Sequence, residues 1–535
     1  MQSFMSKHTL LVLGVYTIVI GCVGFGFSMY LSYLKPAWLD EYHTLLLANM
    51  DWVGIFQFVA GDVHPPIYFF IAKVWHSWWG GGVESIRLLS AMAFLGAGVF
   101  FTILIQNRFK SQLLTLLAPL LFYSSPAVMY YSAEARPYSF SVFWASLVVT
   151  WLFYRTERVG ELGGNWAVSK AVIFGFVLSF GFYIHYTNLF LIASTLIFLF
   201  FVRGQYRYSI ATAFSALFFA IPWLPIAVGQ LVVKFDFDKT KLAARLDPDF
   251  ISYMSDHEGG GSNVLSFVYE FLQNLASIAG VYPSGNMFLF VIFLIPFFLL
   301  GMLFLRTIAE RRASSISTFL VLTLIIMCAG LYAIGWPFRR YVLVIYPVLA
   351  LAVTELLWRV RIEYGPAIFM FISVLLLSTQ ILGVHTMFEK DYDDGTRAVA
   401  SIVSDKKSND EFVLVSAPYA QIPLAFALDE AGETVTFLGF PLTIYEWWES
   451  QAFKGWGGGA VRNVEFQYFL GDVFKRLGDK HFVYVEYESD YFDPHGHLKN
   501  ALGEYCTAFN KLTLGEARRE KYKVYRVSGP CVNVD

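Results

Sequence analysis

Trp38-Leu39-Asp40-Glu41-Tyr42-His43 follows directly on an apolar run from about Leu10 to Leu31, and about twenty residues later comes Asp62-Val63-His64-Pro65-Pro66-Ile67-Tyr68. A run of ~20 apolar residues is long enough to cross a bilayer as a helix, so the two adjacent acids stand where the chain leaves the membrane. A second acid, an imidazole and a rigid Pro-Pro step share the same loop. Clustered ionisable groups at such a place are an address for chemistry at a membrane surface, although juxtamembrane charges are more often simply solvated. The rest of the chain has to decide between these.

Hydrophobic residues make up 56% of the 535 and charged residues only 15%, with a mean hydropathy of +0.53. That composition predicts a polytopic membrane protein. A net charge of -2 and the lack of a basic low-complexity tail argue against nucleic acid as a partner. The 31 Tyr, 53 Phe and 14 Trp supply interfacial belts and surfaces for stacking on a sugar or an isoprenoid.

Further apolar runs lie near 85–105, 112–130, 137–154, 171–186, 187–202, 209–231, 286–306, 314–334, 341–358 and 366–385, which predicts about eleven spans, some of them short. Lys7 precedes the first run and no convincing small-residue cleavage site follows it, so the run reads as a retained span. With the N-terminus in the cytoplasm, alternate loops become basic: Arg108 and Lys110; Arg155, Arg158 and Lys170; Arg203 and Arg207; Arg306, Arg311 and Arg312; Arg359 and Arg361. Lys and Arg gather on the cytoplasmic side, so span count and orientation support each other. The loops at 32–84 and about 232–285 and the tail after 386 then fall outside.

The tail changes character at Glu389-Lys390-Asp391-Tyr392-Asp393-Asp394. Residues 390–535 are charged enough to form a water-soluble extracytoplasmic domain, long enough for its own core, beside a membrane domain at 1–389. Thr396 to Ser404 reads as a helix, and 411–415, 482–486 and 522–527 read as strands, which predicts a small α/β domain. Cys22 and Cys328 lie in apolar spans as packing material. Cys506 and Cys531 lie in the outer tail, where an oxidising compartment permits a disulfide, and no cysteine spacing resembles a zinc site.

Within the first outer loop, Ile67 to Trp79 is apolar and aromatic but too short to span, so it predicts an interfacial helix ending at Gly80-Gly81-Gly82. Its Pro-Pro start fixes the approach of His64, and the plain alternative is that Asp62 and His64 cap this helix. Glu134 and Arg136, in Ser132-Ala133-Glu134-Ala135-Arg136-Pro137-Tyr138, reach the same side of the membrane. Ionisable groups there are costly and are either paired with each other or functional. His185, in a turn between two short spans, reads as structural or as lining. Arg339 and Arg340 at the outer end of the tenth span break the positive-inside pattern, which points to an anionic partner or a headgroup anchor.

The order of Asp40-Glu41, Asp62-Val63-His64-Pro65-Pro66, Arg87-Leu88-Leu89-Ser90, Glu134-Ala135-Arg136-Pro137-Tyr138 and Arg340-Tyr341 resembles the GT-C superfamily of integral-membrane glycosyltransferases. It most resembles bacterial relatives of the dolichyl-phosphate-mannose protein mannosyltransferases and of the lipid A aminoarabinose transferases, over about residues 8–385. Together with the span count and the character of the tail, the resemblance predicts a mainly α fold: a GT-C-like bundle of about eleven transmembrane helices, interfacial helices in the first outer loop, and a C-terminal soluble α/β domain. It also implies inverting transfer of a sugar from a polyprenyl-phosphate donor, outside an inner or plasma membrane. On this pattern Asp40 matches the catalytic aspartate, Glu41 its acidic neighbour, and His64 with Pro65 and Pro66 the motif along the donor phosphate.

Chemistry agrees with that assignment. A base must reach the acceptor hydroxyl, and Asp40 is the candidate. A leaving phosphate needs donors already in place, which Arg136, Arg339, Arg340 and His64 can supply. Asp62, Tyr68, Glu134, Tyr138 and His185 are expected to line the substrate. No metal ligand is assigned, although a divalent metal is possible through Asp236, Asp238, Asp256, His257 and Glu258, and Gly259-Gly260-Gly261 beside them suggests a closing loop. The acceptor is a glycan, a lipid or a protein. A transporter or flippase of lipid-linked sugars is the competing reading; transporters bind near the midplane, between repeats, whereas the polar groups here crowd the outer interface. A sensor or scaffold would leave the acids and arginines unexplained.

Overall fold

The structure, a computed structural model, describes residues 7–155, 164–236, 264–279, 298–307, 314–334 and 338–389, and in the tail 395–406, 412–415, 421–430, 437–439, 481–487, 497–512 and 522–531, with a few single positions between. The chain opens with α1 (Lys7–Leu34), then α2 (Leu39–Asn49), α3 (Trp52–Gly61), α4 (Ile67–Trp79), α5 (Val83–Phe109), α6 (Gln112–Tyr123), α7 (Pro126–Ser132) and α8 (Tyr138–Thr150). Among the described residues five helices are long and apolar enough to cross a membrane: Val12–Leu34, Val83–Phe109, Ser315–Ala333, Arg339–Tyr364 and Pro366–Glu389. Two bent pairs raise the number to seven at most. It is a multi-pass membrane protein.

The expectation of about eleven spans is therefore not met among these residues, and the reasons are local. The run at 112–130 breaks into α6 and α7, which meet at 58° where Pro126 interrupts the helix, and the run at 209–231 breaks at 79° around Pro222. The runs at 137–154, 171–186 and 187–202 give the shorter helices Tyr138–Tyr154, Val168–Ile184 and Asn188–Val202. Only Phe298–Thr307 of the run at 286–306 lies within the described residues. One helix, Val264–Ala279, falls in a stretch that reads as loop from sequence.

The break between α6 and α7 shows how the membrane part balances its polar groups. Pro126 has no N–H for the carbonyl of Phe122, four residues back, and an orphaned carbonyl in an apolar core is costly. The hydroxyl of Tyr346 lies 2.8 Å from that oxygen and 3.1 Å from the oxygen of Leu121. Nearby, the ring of Tyr123 fits against Gly98, where a methyl group would come within 2.2 Å of its Cζ. Glycine at this position lets α6 pack closely on α5.

The loop after α1 folds into three helices, of which the sequence bounds only Ile67–Trp79. Asp51 starts α3, accepting the N–H of Gly54 at 2.7 Å. The α4 helix has the predicted bounds, opening after Pro66 and ending at Gly80, whose φ of 65° suits glycine. Pro66 is its N-cap residue and makes no side-chain cap, whereas Asp62 is the C-cap residue of α3, its N–H bonded to the carbonyls of Phe58 and Val59. Lys73 of α4 reaches back to the carbonyls of Met50 and Ala48 at the end of α2, where the helix dipole favours a cation.

In the tail, β1 (Phe412–Val415), β2 (Phe437–Gly439), β3 (Phe482–Tyr487), β4 (Cys506–Leu512) and β5 (Tyr522–Cys531) form one sheet in the order β2-β1-β3-β5-β4. The first three strands are parallel and the last two join antiparallel. Val413, Val415, Val483, Val485 and Val524 form its core with Val399 and Val403 of the helix Thr396–Lys406. The strands expected at 411–415, 482–486 and 522–527 all appear. Cys506 is disulfide-bonded, Cys22 and Cys328 are free, and the residue facing Cys506 across the ladder is Cys531.

Tyr346→Phe removes the donor that covers two carbonyls at the helix break. It is expected to cost about 1–3 kcal/mol and to lower the melting temperature of the detergent-solubilised protein. An unchanged melting temperature contradicts the role given to the hydroxyl.

Candidate functional site

Near the start of α5, Arg87 donates from Nε to Glu41 Oε1 at 2.7 Å and from Nη2 to Glu41 Oε2 at 2.6 Å, both side chains being sealed from solvent. The same guanidinium donates to the carbonyls of Lys35 at 2.8 Å and Pro36 at 3.0 Å, and to that of Ser32. Glu41 also accepts the N–H of Ala135 at 2.7 Å and of Trp38 at 3.2 Å. Burial alone would raise this carboxyl, but the Arg87 charge and hydrogen bonds, with Lys35 and Ala135, hold it below the ordinary value. Glu41, expected beside Asp40 as a catalytic acid, thus has both oxygens engaged by the protein. The partner missed from sequence was Arg87, and its one signal was a guanidinium inside an apolar run.

Glu134 does not pair with Arg136. Its Oε1 accepts from Lys35 Nζ at 2.8 Å, in a buried pair lying 3.5 Å from the centre of the Tyr130 ring. Burial raises Glu134, and Lys35 offsets that only in part. Lys35 ends α1 and reads in sequence as an ordinary flanking charge, so nothing distinguished it.

With those two pairs closed, Arg136 is free to turn toward Asp40. Its Nη1 donates to the Asp40 carbonyl at 3.2 Å and its Nη2 lies 3.6 Å from Asp40 Oδ2. Nη2 also lies 3.0 Å from His64 Nε2, while His64 Nδ1 is 2.8 Å from Asp62 Oδ2. Burial would raise Asp62, but His64 and the N–H of Val63 hold it well below the usual carboxylate range. The Arg136 side chain is 1% exposed and that of Asp40 15%, so the acid is the more open of the pair.

Arg340 completes this group. Its guanidinium lies over Trp38 at 5.7 Å, Phe338 at 5.1 Å and Tyr341 at 5.3 Å, and it is close enough to Asp40 and Arg136 to feel both charges. The Nε atoms of Arg136 and Arg340 are buried without a hydrogen-bond acceptor. Arg339 is adjacent and interacts electrostatically with Tyr131. Around them stand aromatic rings: Tyr138 is 5.9 Å from His185, which is 5.5 Å from Tyr341 and 6.3 Å from His64. Tyr68 is wholly buried against Phe69 and Phe140, with its hydroxyl in reach of the Arg136 field. Asp40, Asp62, His64, Arg136, Tyr138, His185 and Arg340 thus come together, Tyr68 lies beneath them, and Glu134 and Glu41 are held behind.

His43, part of the opening stretch but given no role by sequence, packs between Phe58 and Phe69. Burial, helped by the charge of Arg136 against those of Asp62 and Asp40, pushes its imidazole down to about 4. His185 shifts in the same direction, through burial and then the charges of Arg136 and Arg340.

Among the described residues no three His, Cys, Asp or Glu side chains are placed to hold a metal ion. Asp236 closes the helix Leu224–Asp236. Asp238, Asp256, His257, Glu258 and the Gly259–Gly261 run lie outside the described residues.

No family model matches the chain, and no curated protein matches it in sequence. Among the solved structures that match it in shape are two of ArnT from Cupriavidus metallidurans. The one bound to undecaprenyl phosphate has a TM-score of 0.54 at 14% identity, and the apo state 0.57 at 12%. Each match covers 98% of this chain and 100% of that one. The fold is shared with ArnT. ArnT is a lipid A aminoarabinose transferase of the GT-C superfamily, one of the two groups that the sequence order resembles. At this identity the likeness to ArnT speaks for the fold alone, and it extends through the tail as well as the membrane part.

Glu41→Ala leaves Arg87 as a buried charge without its counterion, an arrangement costing about 3–5 kcal/mol. The expected result is a large loss of monodisperse protein, partly recovered in Glu41→Leu/Arg87→Met; normal yield from the single variant contradicts the pairing. Acid has a separate effect. Folded His43 stays neutral down to about 4, while the unfolded chain takes up its proton from about 6.5. The unfolded state therefore binds more protons in that window, and stability falls as pH falls, by about 3 kcal/mol for full passage. His43→Phe should flatten the decline in melting temperature between pH 7 and pH 5; an identical slope would count against it.

Proposed function

We propose that the protein is a GT-C-type glycosyltransferase that moves a sugar from a polyprenyl-phosphate donor to an acceptor hydroxyl at the outer face of the membrane. The observation that carries this reading is the buried Arg136, held against the open carboxylate of Asp40 with Arg340 beside it and both Nε donors unpartnered. Buried donors of fixed position are what a departing phosphate requires. The shared fold with ArnT, solved with undecaprenyl phosphate, supports a lipid-linked donor.

In this reading Asp40 is the general base. It accepts the proton of the acceptor hydroxyl as that oxygen bonds to the anomeric carbon. The bond from the anomeric carbon to the phosphate oxygen breaks, and its electron pair leaves on the lipid phosphate, where Arg136 and Arg340, with Arg339, balance the growing charge. No protein acid is needed to expel a phosphate. Glu41 acts as a positioning residue, since it sets the start of α2 and therefore the place of Asp40. Tyr138, His185 and Tyr341 offer rings for the sugar. The disulfide-bonded Cys506 favours an oxidising outer compartment for residues 390–535, and thus a cytoplasmic N-terminus.

The test is transfer of radiolabelled sugar from a panel of polyprenyl-phosphate sugars by the purified protein in liposomes. Asp40→Asn is expected to lower the rate by about 10²–10⁴-fold at unchanged yield and melting temperature. Full activity in Asp40→Asn removes the base assignment. Movement of the donor across the bilayer without transfer favours the flippase.

A further inference from the structure

We infer that His64, held by Asp62, is an uncharged positioning residue that fixes the guanidinium of Arg136, and is not itself a cation for the donor phosphate. This rests on the transferase reading and refines the site it describes.

The hydrogen bonds decide the state of the ring. Arginine has N–H donors and no acceptor. Nη2 of Arg136 lies 3.0 Å from His64 Nε2, so Nε2 must present its lone pair. Nδ1 lies 2.8 Å from Asp62 Oδ2, and an ionised carboxylate only accepts, so Nδ1 carries the hydrogen. Both ring nitrogens are then assigned, and the imidazole is neutral. An imidazolium would put a second N–H on Nε2, pointing at a guanidinium N–H only 3.0 Å away. Phe69 stands edge-on to the ring at 6.2 Å and His185 at 6.3 Å, so packing as well as Asp62 restrains it.

The consequence falls on Arg136. Its guanidinium meets the carbonyl of Asp40, approaches the carboxylate of Asp40, and donates to His64. Asp40 and the hydroxyl of Tyr138 hold other parts of the group, and the neutral imidazole anchors the same Nη2 that approaches the Asp40 carboxylate. A neutral acceptor fixes the guanidinium plane without drawing off its charge, so the charge remains for the phosphate. A cation at 64 would instead stand against Arg136 beside Arg340, adding like-charge repulsion where three guanidiniums already gather.

Three substitutions separate the roles. His64→Gln offers a carbonyl to Arg136 and an amide N–H to Asp62 with no charge, His64→Lys offers a charge with no acceptor, and His64→Leu offers neither. Affinity for undecaprenyl phosphate is measured with the full-length protein in nanodiscs, with monodispersity and melting temperature checked for each variant, and sugar transfer is measured in parallel. Gln should keep affinity within about threefold, while Leu and Lys lose about 10–100-fold, the worth of a hydrogen bond to a charged group. Affinity kept by Lys, with Gln as weak as Leu, overturns the inference. So does the absence of any binding by the intact protein. If the affinity order holds while no sugar is transferred, the transferase reading fails and the role of His64 stands.

Discussion

The buried pair between Glu41 and Arg87 is the constraint on which the rest of the candidate site depends. Two charges removed from water are stable only with close to full hydrogen bonding, and this pair reaches it by collecting backbone groups from three separate stretches. The carbonyls of Ser32, Lys35 and Pro36, the N–H of Trp38 and the N–H of Ala135 all converge on it. The end of α1, the start of α2 and the approach to α8 are thereby fixed relative to α5. Asp40 and Arg136 are each one residue away from a group so held, Asp40 from Glu41 and Arg136 from Ala135. Their facing positions follow from that adjacency.

A second pair, Lys35 with Glu134, closes the charges behind them, and this division of labour gives the candidate site its character. Acids and bases that serve structure are paired and buried, whereas Asp40 keeps an open carboxylate and the arginines keep buried donors to spare. Ionisable groups are costly at a membrane, and the protein uses its neutral imidazoles sparingly. His43 and His185 are held uncharged among aromatic rings, so the positive charge of the site resides in guanidiniums, which do not titrate at any ordinary pH.

Much of this was legible in the sequence, for definite physical reasons. The bounds of α4 could be read because prolines open it and glycines end it, and β1, β3 and β5 because their apolar runs are bounded by polar turns, whereas the short β2 and the polar β4 carry no such run. Asp40, His64, Arg136 and Arg340 could be singled out because each stands where a charge beside a membrane is expensive. What could not be read was who partners whom. Lys35 looks like a flanking charge, Arg87 like a misplaced one, and Glu134 lies two residues from Arg136 yet bonds elsewhere. Pairing is decided by the approach of α1, α5 and α7, a long-range matter. Fewer long spans stand out among the described residues for a similar reason: Pro126 and Pro222 sit in runs apolar enough to cross, and Tyr346, far along the chain, makes one of those breaks tolerable.

In the proposed reaction the donor phosphate lies against Arg136 and Arg340, with Asp40 across from it. A cryo-electron microscopy structure of the protein in nanodiscs with undecaprenyl phosphate locates that phosphorus directly. The expected result is a phosphate within hydrogen-bond distance of both guanidiniums, with His64 still on Arg136. A phosphate bound elsewhere, with Arg136 and Arg340 turned from it, would contradict the account at its centre.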